Sequence, residues 1–221
     1  MTDDPTLDEV RAALAPAIAS NAAFDGWGDA ARDMAADGAA EGAGIDRDVA
    51  RLAFPGGAVD MIDAWFANID SRMAAALPPE RLASMKIRAR ITALVEARLD
   101  AVAPEREALR RAIAVLALPN NVVRATRLAW RSVDTMWRLA GDTATDYNHY
   151  TKRATLLAVY GSTVSVFLDD ESDGHADTRA FLARRIDGLM RFEKAKAGFL
   201  RRTQNVPSLS RFIGRLRYPV A

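Results

Sequence analysis

The chain has 221 residues, half of them hydrophobic and 27% charged, a composition of a globular protein long enough to bury a sizeable core. It holds no cysteine and two histidines, His149 and His175, which rules out a disulfide framework, thiolate zinc sites and a cysteine nucleophile and argues against a multi-histidine metal centre. The net charge of +1 conceals a division: residues 1–70 carry four arginines against fourteen Asp and Glu, a balance of −10, and residues 71–221 carry +11. Residues 179–221 alone hold eleven Lys or Arg against Asp187 and Glu193, so the two ends are expected to meet different partners.

Helical periodicity dominates and no strand alternation is visible. Leu7 to Phe24 reads as a first helix, with Val10, Leu14 and Ile18 four apart. Trp27 to Asp37 reads as a second and Asp46 to Phe54 as a short third. Phe54-Pro55-Gly56-Gly57 is a turn signal, and a longer helix then runs to Leu77, where Pro78-Pro79 stops it. A single helix is predicted over Glu80 to Val102, burying Leu82, Met85, Ile91, Leu94 and Val95. Pro104, Glu105 and Glu107 suit the start of the next, which ends at Pro119-Asn120-Asn121. Helices from Val122 to Ala140, Thr145 to Leu168 and Asp177 to Arg201 complete the chain before Pro207, giving an all-α protein of nine or ten helices.

The acidic first residues lack the basic start and apolar stretch of a secretory signal. The longest uncharged apolar stretch, Leu156 to Leu168, is 13 residues, short of the roughly 20 that a spanning helix needs. The expectation is a cytoplasmic chain that is not integral to the membrane. Its tail, Ser208 to Arg217, places Leu209, Phe212, Ile213 and Leu216 on one stripe with Arg211, Arg215 and Arg217 around it. A short basic amphipathic helix of this kind fits the headgroup region of an anionic membrane, and equally a helix packed on the domain.

Chemistry is sparse. Residues 169–177 resemble a calcium loop until the twelfth position, where the required Glu is Ala180; helix-connecting caps explain the acids, and no calcium is predicted. There is no Gly-rich phosphate loop, nucleophile elbow or Glu and Glu-x-x-His pairing for a di-iron centre, so an enzyme is disfavoured. Arg124, Arg127, Arg131 and Arg138 form a stripe that reads by default as a solvated face. Trp130 and Trp137, two turns apart, read either as core or as the lining of a lipid cavity. A heptad seam of Tyr147, Tyr150, Ala154, Leu157, Gly161, Val164 and Leu168 fits an internal packing face or a homodimer face.

Three short helices before a longer one give residues 1–57 the outline of a helix-turn-helix head, as in TetR-type repressors, whose third helix enters the major groove. Phosphate attraction normally requires a basic footprint there. Asp46 to Leu52 is balanced at best inside a −10 region, so the shape is expected without nucleic-acid binding.

A more specific signal lies in residues 130–194. Gly141-Asp-Thr-Ala-Thr-Asp-Tyr-Asn-His-Tyr-Thr-Lys-Arg153, then Leu156 to Tyr160, Asp177-Thr178, Phe181-Leu182 and Met190 to Lys194, with Trp130, Trp137 and Phe54 to Gly57, resemble the lipid-binding coenzyme Q biosynthesis family usually numbered nine. The resemblance implies a TetR-like fold without DNA binding, in three parts: head 1–57, lipid-binding bundle 58–202 and basic amphipathic segment 203–221. It implies no catalysis and no cofactor. The implied ligand is an isoprenoid lipid or ubiquinone precursor, presented at the inner membrane surface by a homodimer. It also implies a patch that contacts a ubiquinone-pathway di-iron hydroxylase; position by position this is Asp142, Asp146, Asn148, Tyr150, Thr151, Lys152 and Arg153, with His149 where the family has Trp, an exchange that removes apolar area. The expected pocket is Trp130, Trp137, Leu157, Tyr160, Val164 and Phe181. The alternative is a TetR-like regulator that keeps both a ligand pocket and a DNA-binding head.

Overall fold

The structure, a computed structural model, describes residues 5–43, 45–143 and 147–204. Among these residues ten α-helices are formed and no strand: α1 (Leu7–Asp25), α2 (Asp29–Ala43), α3 (Arg47–Ala53), α4 (Ala58–Ala76), α5 (Pro79–Ala83), α6 (Ile87–Val102), α7 (Arg106–Leu116), α8 (Val122–Leu139), α9 (Tyr147–Asp169) and α10 (Ala176–Gln204). One-turn 3-10 helices precede α7, α8 and α10. No described helix is long and apolar enough to cross a membrane.

Local chemistry sets the boundaries. Thr6 and Glu9 form a capping box at the start of α1: the Glu9 amide donates to Thr6 Oγ1 at 3.3 Å and the Thr6 amide to the Glu9 carboxylate at 2.8 Å. Asp46 caps α3 by accepting from the Val49 amide at 2.8 Å. One expected helix is two. The segment 80–102 breaks at Ser84–Lys86 into α5 and α6, because Arg90 takes the Ala83 and Met85 carbonyls and Ser84 Oγ donates to the Arg81 carbonyl at 2.7 Å. Met85 accordingly sits half-buried rather than in the core.

α1 packs on α2, α3, α4 and α7; α4 also meets α6 and α8, and α9 lies between α8 and α10. A single hydrophobic core runs from Val10 in α1 to Ile186 in α10, so head and bundle share one interior. Trp65, fully buried on α4, touches Trp27 of the head with ring centroids 5.3 Å apart. Trp27 Nε1 donates to the Ala108 carbonyl of α7 at 2.9 Å, and Arg111 of α7 donates to the Phe24 carbonyl at 2.9 Å. The head is thereby tied to the bundle through the buried Trp27 and Trp65 and the half-exposed Arg111.

Candidate functional site

The end of α8 and the start of α9 converge on one buried charge cluster. α8 closes with a Schellman motif: the Gly141 amide donates to the Arg138 carbonyl and the Asp142 amide to the Trp137 carbonyl, both at 2.9 Å. Gly141 has φ +89°, which any side chain would strain. The turn delivers the Asp142 carboxylate to Arg153, whose side chain is 98% covered. Arg153 donates to Asp134 at 2.5 Å, to Asp142 at 3.0 Å and to the His149 carbonyl at 3.1 Å, while Lys152 Nζ donates to Asp142 at 2.7 Å. Burial works to raise the Asp142 carboxyl, and the bonds from Lys152 and Arg153 outweigh it and hold it below its usual value.

Of the expected partner patch, Asp142, Lys152 and Arg153 come together in this cluster, with Lys152 half-exposed over the Trp137 ring at 5.4 Å. Tyr150 is 62% exposed, and the half-buried His149 ring meets it edge-on at 5.1 Å; Thr151 is half-buried. Asp146 and the Asn148 side chain lie outside the described residues, as do Leu209, Arg211, Phe212, Ile213, Arg215, Leu216 and Arg217.

The six expected pocket residues are distributed differently. Trp137 is buried, with Nε1 donating to the Lys152 carbonyl at 3.1 Å. Trp130 is half-buried in a groove of about 520 Å³ shared with Arg127, Arg131, Asp134, Arg138 and His149, and its ring lies 6.3 Å from that of Tyr150. Tyr160 and Val164 are covered, Leu157 and Phe181 half-buried, and the Arg184 and Arg185 guanidiniums lie over the Phe181 ring. Tyr160 belongs to a buried polar cluster that periodicity gave no means to find. Arg98 donates to Asp70 at 2.8 Å, to Ser132 at 3.1 Å and to the Tyr160 hydroxyl, and Ser132 Oγ donates to Asp70 at 3.0 Å. Burial pushes the Tyr160 hydroxyl above its usual value, Asp70 adds to this and Arg98 opposes it.

Two sequence features on α8 and α9 gain detail from the fold. Most of the arginine stripe on α8 is engaged: Arg124 pairs with Asp60, Arg131 with Asp63 and Arg138 with Asp134, which leaves Arg127 with no ion pair among the described residues. The seam on α9 is not wholly internal, since Tyr150, Ala154 and Gly161 face outward. In the head, all four arginines are occupied: Arg11 by the Ala53 carbonyl and Asp8, Arg32 by Asp29 and Asp33, Arg47 by Asp37 and Arg51 by Asp48. The acidic loop is a capping device. Asp170 accepts from the amides and hydroxyls of Ser172 and Thr178 at 2.5–2.9 Å, and these bonds hold its carboxyl well below the carboxylate range.

These features define an all-α protein of TetR-like fold with an acidic head whose arginines are all engaged and an arginine-pinned junction of α8 and α9. A solved TetR transcriptional regulator from Nitrosomonas europaea superposes with a TM-score of 0.63 and 27% identity, covering 80% of this chain and 96% of that one. The COQ9 family model matches residues 122–193, the stretch from α8 into α10. The human mitochondrial ubiquinone biosynthesis protein COQ9 is 42% identical over 96 residues, 43% of this chain and 30% of that protein; a probable ubiquinone biosynthesis protein coq9 of Dictyostelium discoideum is 30% identical over 115 residues, 52% and 38%. The match to the human protein thus spans under a third of that relative's length. Over residues 122–193 the chain is similar to the COQ9 family, on a TetR-like fold.

Proposed function

We propose that the chain is a non-enzymatic accessory protein of ubiquinone biosynthesis, which binds an isoprenoid lipid or ubiquinone precursor and presents it at a membrane surface to a pathway hydroxylase. The observation that carries this reading is the family match over residues 122–193, since that stretch builds the junction where Asp142, Lys152 and Arg153 shape an exposed Tyr150. The ligand's polyprenyl tail would lie among α8, α9 and α10, near Trp137, Leu157, Tyr160, Val164 and Phe181. Tyr160 and Val164 are already covered, so admission of a tail requires the helices packed on α9 to move. Burial of each methylene then offsets the about 0.8 kcal/mol that its exposure to water would cost, which makes withdrawal from a bilayer feasible. The basic tail, Leu209 to Arg217, would supply attraction to anionic headgroups, and the outward seam on α9 would pair two copies.

The test is genetic and chemical. In the protein's own host, deletion of the gene should lower ubiquinone and raise a hydroxylation precursor, and gentle native mass spectrometry should find a bound isoprenoid lipid. Normal quinone levels in the deletion strain would refute the reading.

One observation favours the regulator alternative: the solved TetR regulator matches over most of both chains. Against it, every head arginine is spent within the head, and duplex binding needs cations free to replace condensed counterions. A sequence-specific gel shift at low salt would reinstate the regulator.

A further inference from the structure

The seam where α1 and α8 flank α4 holds a cleft that the lipid, membrane and partner roles leave unused. α4 turns Val59, Ile62, Trp65, Phe66 and Ile69 to the core, so the complementary stripe of Asp60, Asp63, Ala64, Ala67, Asn68 and Ser71 faces this seam. Ala12, Ala64 and Ala67 end at Cβ and leave a space of about 530 Å³, inside the range of about 300–1,000 Å³ found for small-molecule sites. Its charges cancel: Arg11 pairs with Asp8, Arg124 with Asp60 and Arg131 with Asp63. Two valences stay unmet. Arg131 gives its Nη atoms to Asp63, whereas its Nε, a donor, and Asn68 Oδ1, an acceptor, are buried with no hydrogen-bond partner among the described residues. A buried polar atom without a partner carries its full desolvation penalty, which makes such atoms rare in folded chains, and both residues line this one cleft.

We infer that this cleft is a binding site for a neutral phenolic ring, separate from the tail site among α8, α9 and α10. A single hydroxyl meets both valences, accepting from Arg131 Nε and donating to Asn68 Oδ1. A charged ligand would have to break one of the three ion pairs, so an uncharged one is selected. The guanidiniums that border the space stack readily on aromatic faces, and the alanine methyls pack against the ring. A free phenol and the ring of an isoprenoid phenol share this chemistry, and an ordered water is the rival occupant. The cleft lies where α1 of the head meets α4 and α8, so a bound ring braces head against bundle and raises the melting temperature of the chain.

The probe is 4-methoxyphenol, titrated into the full chain labelled with nitrogen-15 and followed by nuclear magnetic resonance. The Arg131 Nε–H and Asn68 side-chain amide signals should shift and saturate. Anisole, which lacks the hydroxyl, and 4-hydroxybenzenesulfonate, which adds a charge, should each bind tenfold or more weakly. Asn68→Leu removes the acceptor at nearly constant volume and should weaken phenol binding tenfold or more. It should not lower the melting temperature of the empty chain, since no hydrogen bond to Oδ1 is lost. Ala67→Phe, at an exposed position, should block the cleft while both polar atoms remain. 2-Farnesyl-4-methoxyphenol separates the two sources: tighter binding than the parent phenol identifies an isoprenoid phenol, equal binding a free one, and either sustains the site. If the signals do not saturate, if anisole or the sulfonate binds as tightly, or if N68L and A67F both bind like wild type, the inference is overturned. A lower melting temperature for empty N68L without saturable phenol binding to wild type would identify an ordered water, and overturns it as well.

Discussion

Replacing Arg98 by Met is the sharpest test of how the bundle is held together. Arg98 is 2% exposed and reaches α4, α8 and α9 through Asp70, Ser132 and Tyr160, with its guanidinium 5.3 Å from the Phe66 ring and 5.1 Å from that of Tyr160. Methionine fills much of the volume but strands the Asp70 carboxylate with Ser132 as its remaining partner. Breaking a buried ion pair on one side costs about 3–5 kcal/mol, because the surviving charge stays desolvated. At about 2–4 °C per kcal/mol for a chain of this size, the melting temperature should fall by about 6–20 °C. The double variant R98M/D70L removes both charges and should recover at least half of the loss, since a buried pair exchanged for apolar groups is often near neutral. Urea titration followed by circular dichroism gives all corners of the cycle. A cost below about 1 kcal/mol for R98M, or a double variant as unstable as the sum of the two singles, would refute the reasoning.

Arg153→Met should destabilise by about 2–3 kcal/mol, less than Arg98→Met because Arg138 and Lys152 still pair Asp134 and Asp142, and it should weaken hydroxylase binding through a loosened junction. Gly141→Ala should cost about 1–2 kcal/mol in thermal melts, since φ is +89° and the new methyl would meet Arg90 Nη1 at 3.1 Å. Asp170→Asn should lose about 1–2 kcal/mol at pH 7. The folded carboxyl lies below its unfolded value, so the stabilisation is complete above the unfolded pKa of about 4 and disappears as pH falls through the folded value; urea melts at pH 7, 5 and 3 should show the variant converging on wild type. Deletion of residues 203–221 should weaken sedimentation with anionic vesicles, and unchanged binding would remove the tail from the membrane role.

Periodicity located nearly every helix, because core positions such as Val10, Leu14 and Ile18 recur at the helical spacing and are fully buried. It failed at Ser84–Lys86. There the apolar pattern continues through Met85, but the long-range reach of Arg90 to the Ala140 carbonyl and back to Met85 stabilises a break that no local signal announces. The TetR-like outline was legible from element lengths, and the acidic head from counting. The pairing that occupies the head's arginines was not: Asp37 and Arg47 are ten residues apart in sequence and are brought together by the fold. The same limit applies to the candidate site. Spacing put Trp130 and Trp137 on one side of α8, yet one indole lies in a groove and the other is buried, because Trp137 faces the first turns of α9 where Lys152 covers it. Buried arginines such as Arg98 and Arg153 look like any surface arginine in a chain with 30 basic residues. Only the fold brings their acids within reach.

The bond from Trp27 to Ala108 has a consequence for how the molecule opens. Where a head hinges freely, its amides exchange with solvent through small local fluctuations while the bundle stays shut. Here the head's indole is anchored inside the core that α4 and α7 also line, and Arg111 closes the seam beside it. The slowest amides of α1 and of α6 should therefore report one opening event of equal free energy. Loss of a bundle contact as distant as Arg98 should accelerate exchange in the head by the same factor, so the three head helices and the bundle open as one cooperative unit.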